Sequence, residues 1–327
     1  MSGKGELKAA SWQYQLKVFT LQIVSGGGAG AIAKTAVAPL ERVKVLLQVQ
    51  ATNTTIPENE KYKGIIDALV RIPQREGWLA FYRGNGTNVA RIIPDAAVKF
   101  TMNDQFKMMF APKDGSQISI WGKLGAGGAS GAFKTILLYP FDIARTRLTA
   151  DVARKGEKKI YNGLIDCTIK TARTEGISGV YKGLVMSLAG IVPYLAVSFT
   201  AYDELKNLLP TDKESRTSWW YPFAKMSVGA TAGVFAQSLT YPLDTIRRRM
   251  QMNGGAGQAK KYSGNWDCIK KMYQQEGITS FYRGLWANAI KTAPGAAIQF
   301  VAYDYIKLAL TGLDSTNSKL LQGGGGD

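Results

Sequence analysis

The chain is built three times over, and that repetition limits the folds open to it. The block Pro39-Leu40-Glu41-Arg42-Val43-Lys44 returns as Pro140-Phe141-Asp142-Ile143-Ala144-Arg145. It returns again as Pro242-Leu243-Asp244-Thr245-Ile246-Arg247. Glu76-Gly77 with Tyr82-Arg83-Gly84 is matched by Glu175-Gly176 with Tyr181-Lys182-Gly183, and by Glu276-Gly277 with Tyr282-Arg283-Gly284. Between these lies an aromatic-x-Gly-x-x-Asp block, running Tyr62-x-Gly64 to Asp67, Tyr161-x-Gly163 to Asp166 and Tyr262-x-Gly264 to Asp267. A fourth block, Asp-x-x-Lys, ends each unit at Asp104 and Lys107, Asp203 and Lys206, Asp304 and Lys307. Four motifs share one period of about 100 residues, far beyond the 20–50 residues of a solenoid repeat. Each unit is therefore a small module, and three are needed.

The expected division is an N-terminal segment over 1–18, repeats over 19–115, 116–214 and 215–312, and a flexible C-terminal tail over 313–327. Each repeat reads as helix, loop, short helix, helix. The first helix carries small residues four apart: Gly26 and Gly30, Gly127 and Gly131, Gly229 and Gly233. Such spacing lets helices approach closely in lipid. The proline of the first block is expected to kink that helix. Cys167 and Cys268 share one register, with Ala68 as their counterpart, and read as small packing residues.

Hydropathy alone is ambiguous. Of the 327 residues 46% are hydrophobic, yet no segment offers the roughly 18 uninterrupted apolar residues of a plain transmembrane helix. The stretch from Phe19 to Leu47 is broken by Lys34, Glu41, Arg42 and Lys44. Helices long enough to span a bilayer must include such charges. A charge at membrane depth must face protein or a watery cavity. Three repeats around an axis turn like-placed charges into rings. The economical pairing joins each acid to a base of the next repeat: Glu41 with Arg145, Asp142 with Arg247, Asp244 with Lys44. Gln48 and Gln251, nine residues after their prolines, are placed to brace these pairs; Thr149 is too short. The Asp-x-x-Lys blocks make a second ring at the other end. Two rings that cannot close together give alternating access.

Lys plus Arg number 41 against 24 Asp plus Glu, a net charge of +17 that calls for an anionic partner. A nucleic-acid-binding helical repeat would carry such a charge too. Here the bases come with acids at fixed offsets, so much of the charge is internal and paired, and no nucleic-acid partner is expected. Histidine is absent, and the two cysteines form no CxxC. An enzyme with a nucleophile–base set, a zinc site or another metal centre is not expected, nor is any cofactor. The N-terminus lacks the apolar core of a signal peptide.

A solute without threefold symmetry should touch the cavity where the repeat fails. At mid-depth on the second long helices the equivalent residues are Arg91, Gly190 and Lys291; one turn on they are Asp95, Tyr194 and Gly295. On the first helices Lys34 corresponds to Thr135 and Gln237. Lys34, Arg91 and Lys291 thus form a cationic trio opposite a slot of Gly190, Ile191 and Tyr194. Cations hold several phosphates, and a glycine beside a tyrosine accepts a flat ring. Together they suit a nucleotide.

The three copies of Pro-x-[Asp/Glu]-x-x-[Lys/Arg], Glu-Gly-x4-aromatic-[Lys/Arg]-Gly and Asp-x-x-Lys resemble the mitochondrial carrier family over about residues 20–310. The resemblance implies an all-α membrane protein. It has six transmembrane helices in three pseudo-symmetric repeats around a central cavity, with three short matrix-side helices. It implies a monomer in the mitochondrial inner membrane. The first ring becomes the matrix gate and the second the cytoplasmic gate. It also implies cardiolipin phosphates held at helix N-termini by Gly64, Arg83, Gly84, Gly163, Lys182, Gly183, Gly264, Arg283 and Gly284, where free N–H groups and the helix dipole attract anions. The string AKTAVAPLERVKVLLQVQ is similar to the first helix of adenine nucleotide carriers, and Lys34, Arg91, Gly190, Ile191, Tyr194 and Lys291 fall on that branch's substrate positions. This implies exchange of adenine nucleotides, ADP for ATP. Arg247-Arg248-Arg249-Met250-Gln251-Met252 departs from the Arg-Arg-Arg-Met-Met-Met of ADP/ATP carriers, and Leu195 and Lys291 stand where those carriers place arginines. Carriers of ATP-Mg/phosphate, AMP or coenzyme A, or a proton-leak carrier, therefore stay open. No EF-hand loop precedes the first repeat.

Overall fold

A computed structural model of the chain describes residues 20–21, 24–53, 56, 58–110, 119–152, 159–210, 218, 220–255 and 260–312. The expected N-terminal segment and C-terminal tail lie outside them. The described residues are helical and contain no strand. Repeat 1 holds α1 (24–36), α2 (Ala38–Val49), α3 (Ile65–Glu76), α4 (Asn85–Ala90) and α5 (Ile92–Phe110). Repeat 2 holds α6 (Ile120–Ala150), α7 (Leu164–Val180) and α8 (Leu184–Lys206). Repeat 3 holds α9 (Tyr221–Met252), α10 (Asn265–Glu276) and α11 (Leu285–Gly312).

The repeats differ at their prolines. Pro39 opens the new segment α2 after a break at Val37, where its missing N–H costs no helical bond. Pro140 and Pro242 sit inside the single long helices α6 and α9. Repeat 1 is also broken at Arg91, between α4 and α5.

The aromatic-x-Gly-x-x-Asp block is a helix start. Asp67, Asp166 and Asp267 accept the backbone N–H of Lys63, Asn162 and Ser263 at 2.9, 2.9 and 3.0 Å, closing the first turn of α3, α7 and α10. The Glu-Gly block is the matching stop of α3 and α10 and a kink inside α7. Gly77, Gly176 and Gly277 have φ of 87°, 73° and 74°, a left-handed turn that glycine adopts without strain.

The long helices pack in chain order around a closed ring. A Cβ added to Gly28 of α1 would meet Ile306 of α11 at 3.0 Å, and one on Gly27 would meet Ile92 of α5 at 3.4 Å. Gly127 and Gly131 of α6 lie as closely on Leu195 and Ile191 of α8, at 3.3 and 3.1 Å. Gly229 and Gly233 of α9 face Tyr202 and Tyr194 of α8. The four-residue spacing thus carries close packing in repeat 2, and more loosely in repeat 3. In repeat 1 Gly26 has no neighbour within 4 Å, and the adjacent Gly27 and Gly28 take the role.

Several charges are buried while large apolar side chains lie outside. Arg42, Arg147 and Arg249 are 0–1% exposed, while Trp78, Trp121, Trp266 and Trp286 are 75–78% exposed. Only α8 among the described helices is both long and apolar enough, by composition, to cross a membrane. The acids and bases of the first ring lie on α2, α6 and α9. Ala68, Cys167 and Cys268 are fully buried in equivalent apolar clusters, with both thiols free.

Candidate functional site

The three pairs expected from proline spacing are formed at one end of the ring of helices. Lys44 donates to Asp244 at 3.0 Å, Arg247 to Asp142 at 2.8 Å, and Arg145 to Glu41. Each joins one repeat to another. The carboxylate at proline+2 and the base at proline+5 face different neighbours, so no pair closes within one helix.

Two cations expected in the open cavity reach this ring instead. Arg91 donates to Asp142, and Lys291 donates to Glu41. Lys34 is exposed, and its Nζ donates to the backbone carbonyl of Asn88 at 3.3 Å. The expected open trio is therefore one exposed lysine and two cations shared with ring acids. The third position is Gly190, so Asp244 receives no cation from α8. Its extra contacts come from Gln48, at 3.3 Å, and Arg248, at 3.7 Å.

A cavity of about 460 Å³ lies where that third cation is missing. Gly190, Ile191 and Tyr194 line it, with Lys134 and Thr135 of α6, and Gln237, Asp244 and Arg247 of α9. A Cβ on Gly190 would meet Leu243 at an ordinary 3.8 Å, so packing alone does not require glycine here. Its effect is to leave room.

Gln48 touches a ring acid, as expected. Gln251 does not. It bonds Thr146 at 2.6 Å and Tyr139 at 3.1 Å. Tyr139 in turn lies under the Arg247 guanidinium, 5.7 Å from ring centroid to charge, and Tyr241 lies likewise under Lys44 at 5.4 Å. Gln251 thus supports the ring through an aromatic shelf. The signal for these tyrosines was in the sequence: both directly precede the block's proline.

A second threefold network lies deeper in each repeat. Arg42 pairs with Glu76 and Glu76 with Arg83; Arg147 with Glu175 and Glu175 with Lys182; Arg249 with Glu276 and Glu276 with Arg283. This explains the glutamate of the Glu-Gly block. Arg83 and Lys182 also cross to the next repeat, donating to the carbonyls of Asp151 and Asn253, each at 2.8 Å.

Gly84, Gly183 and Gly284 each cap a helix with φ of 80°, 83° and 88°. Each presses on the next repeat: a Cβ on Gly183 would meet the Arg247 carbonyl at 2.8 Å, and one on Gly284 the Lys44 carbonyl at 3.0 Å. Gly64 and Arg283 share a cavity of about 1290 Å³ with Gly284. Arg83, Gly84 and Gly163 share a smaller one of about 330 Å³. Gly264 caps α10.

At the other end, Asp203, Lys206 and Asp304 are exposed and form no ion pair among the described residues. Lys307 is half-buried, and the side chains of Asp104 and Lys107 lie outside the described residues.

These three modules match the model of the mitochondrial carrier protein family at residues 16–114, 116–213 and 218–313. The chain is 42% identical over 308 residues to ADP/ATP translocase 4 of Bos taurus, covering 93% of each protein. It is 42% identical over 296 residues to ADP/ATP translocase 3 of Homo sapiens, covering 88% of this chain and 97% of the relative. The chain belongs to the mitochondrial carrier family, whose members are multi-pass transport proteins of the mitochondrial inner membrane.

Proposed function

We propose that this chain exchanges adenine nucleotides, ADP for ATP, across the mitochondrial inner membrane, as a membrane-embedded monomer that transports its solute and acts as no enzyme. The observation that carries the reading is the broken symmetry: Arg91 and Lys291 occupy two of three equivalent positions, and Gly190 opens a cavity at the third. The names of the relatives point to the same solute. Tyr194 and Ile191 offer a flat apolar wall for a base, and Lys34, Arg91 and Lys291 the charge for phosphates.

The shared acids suggest how binding drives the cycle. Phosphate oxygens compete with Asp142 and Glu41 for Arg91 and Lys291. A bound nucleotide therefore weakens the ring of Glu41, Lys44, Asp142, Arg145, Asp244 and Arg247, with its braces Gln48 and Gln251, and lets the matrix side open. Asp104, Lys107, Asp203, Lys206, Asp304 and Lys307 then close the cytoplasmic side. A ligand moves such an equilibrium only through differential contacts, and this competition supplies one. The exposed tryptophans favour a lipid surround. The glycine-capped helix starts near Arg83, Lys182 and Arg283 favour phosphate headgroups of cardiolipin at Gly64, Gly84, Gly163, Gly183, Gly264 and Gly284.

The test is transport itself. Protein in liposomes loaded with ADP should take up labelled ATP and ADP, and Lys34→Ala, Arg91→Ala or Lys291→Ala should each abolish it. Uptake of coenzyme A or phosphate without ADP or ATP would sink the solute assignment.

A further inference from the structure

One ion pair inside the ring of helices belongs to neither threefold network. Asp95, in the first turn of α5, faces Lys134 of α6 at 3.6 Å and Arg91 at 3.7 Å. Both members break the repeat. Tyr194 and Gly295 stand at positions equivalent to Asp95, and Ala33 and Ala236 at those equivalent to Lys134. The two alanines are buried. The Lys134 side chain is 34% exposed and lines the same cavity as Gly190, Ile191 and Tyr194.

The pair is loose. Asp95 Oδ1 is buried and accepts no hydrogen bond among the described residues, although two cations stand within 4.0 Å. A pair built to lock two helices closes to hydrogen-bond distance. Partial exposure to water weakens it further. What the arrangement supplies is a carboxylate neutralising two cations beside the solute cavity. A phosphate placed there can accept the hydrogen bonds that this oxygen does not.

We propose that Lys134 is a further phosphate-contacting residue, and that Asp95 is the counter-ion that occupies Lys134 and Arg91 until a nucleotide polyphosphate displaces it. This rests on the nucleotide-exchange reading above. The consequence is selectivity by charge. Asp95 repels phosphate oxygens and Lys134 attracts them, and both effects grow with the charge of the solute. ATP therefore feels the pair more than AMP does.

The experiment measures initial uptake of ATP, ADP and AMP into ADP-loaded liposomes by the full chain, Lys134→Met, Lys134→Arg, Asp95→Asn and the double variant Asp95→Asn/Lys134→Met. Lys134→Met should raise the KM for ATP about tenfold, the effect of losing one hydrogen bond to a charged group, with a smaller change for AMP and little change in kcat. Lys134→Arg should restore it. Asp95→Asn should lower the KM for ATP, and the double variant should lie between the two singles. Unchanged KM values, or equal losses of thermal stability in both singles with no KM shift, would mean a helix staple and overturn the proposal. If Lys134→Met fails to fold, Asp95→Asn decides: an ATP KM that stays or rises overturns it. Absence of nucleotide uptake by the unaltered chain overturns the exchange reading itself.

Discussion

Two sets of buried ion pairs hold the same end of this molecule, and they are built differently. In the triads inside each repeat, an arginine donates to both oxygens of its glutamate, in repeats 2 and 3 with two nitrogens. Arg147 donates to both oxygens of Glu175 and also to Thr171, and Arg249 to both oxygens of Glu276. In the ring between repeats, two of the three carboxylates are divided between cations from two different helices: Glu41 between Arg145 and Lys291, Asp142 between Arg247 and Arg91. Each triad glutamate takes both of its cations from its own repeat, so its partners stay within one unit. A ring carboxylate shared between repeats can trade a partner and stay neutralised. The triads thus have the chemistry of a brace and the ring that of a latch.

The largest expected effect tests the brace. Arg147→Ala removes the bidentate partner of the buried Glu175 and leaves it Lys182 alone, and breaking a buried pair costs up to about 3–5 kcal/mol. Thermal unfolding in detergent should show a large drop in Tm. Arg145→Ala, in the ring, should cost far less stability and mainly alter exchange. Equal Tm losses in the two variants would erase the distinction.

The next effect restores symmetry. Gly190→Arg places a third cation beside Asp244, where α8 now sends none. The variant should lose nucleotide exchange, because the added side chain fills the cavity of about 460 Å³. Its Tm should rise, because the third acid gains a partner of the kind that Glu41 and Asp142 already have. Loss of exchange with a lowered Tm would show that the site rejects the charge rather than using it for closure.

A smaller difference separates the two glutamines. Gln48 bonds a ring acid directly, and Gln251 bonds Thr146 and the shelf beneath Arg247 instead. Losing one such hydrogen bond costs about 0.5–1.5 kcal/mol. Gln48→Leu should cost that much stability, read as a lowered Tm, and raise the exchange rate, since it loosens the latch. Gln251→Leu should lower Tm with less change in rate. Identical rate changes would place both glutamines in the latch.

What the sequence discloses follows the same division. The ring was legible because proline+2 and proline+5 hold in all three repeats. The triads were not, since their arginines leave that register. Arg147 and Arg249 lie at proline+7, but Arg42 lies at proline+3, with the buried Leu46 at the equivalent site. Positions four apart share a helix face, so the fold treats them alike while a motif scan does not. Arg91 and Lys291 stand out in the sequence as breaks in the repeat. That their side chains reach Asp142 and Glu41 depends on how adjacent helices pack, which periodicity within one helix cannot supply. The pair of Asp95 and Lys134 was hidden for a related reason: its members sit in different repeats, at positions that are not equivalent.

The smallest expected effect is a signal that should stay flat. Cys167 and Cys268 are buried on α7 and α10, each close to the arginine of its own triad, Arg147 or Arg249. Burial pushes both thiols from an ordinary 9.0 up to about 12, against a smaller lowering by the arginine. The sign is plain: a raised thiol pKa leaves less thiolate at a given pH, and the thiolate is the reactive form. At pH 8 only about one thiol in ten thousand would be ionised. Mass spectrometry after alkylation at pH 8 should therefore find both cysteines unmodified in the folded carrier, and fully modified once it is denatured. The informative condition is turnover, with ADP and ATP on opposite sides of the membrane. A brace keeps its thiols covered while the ring opens and closes, so labelling should remain at its resting level. Labelling that climbs with the exchange rate would mean that the triads part along with the ring, and that both ionic networks belong to the latch.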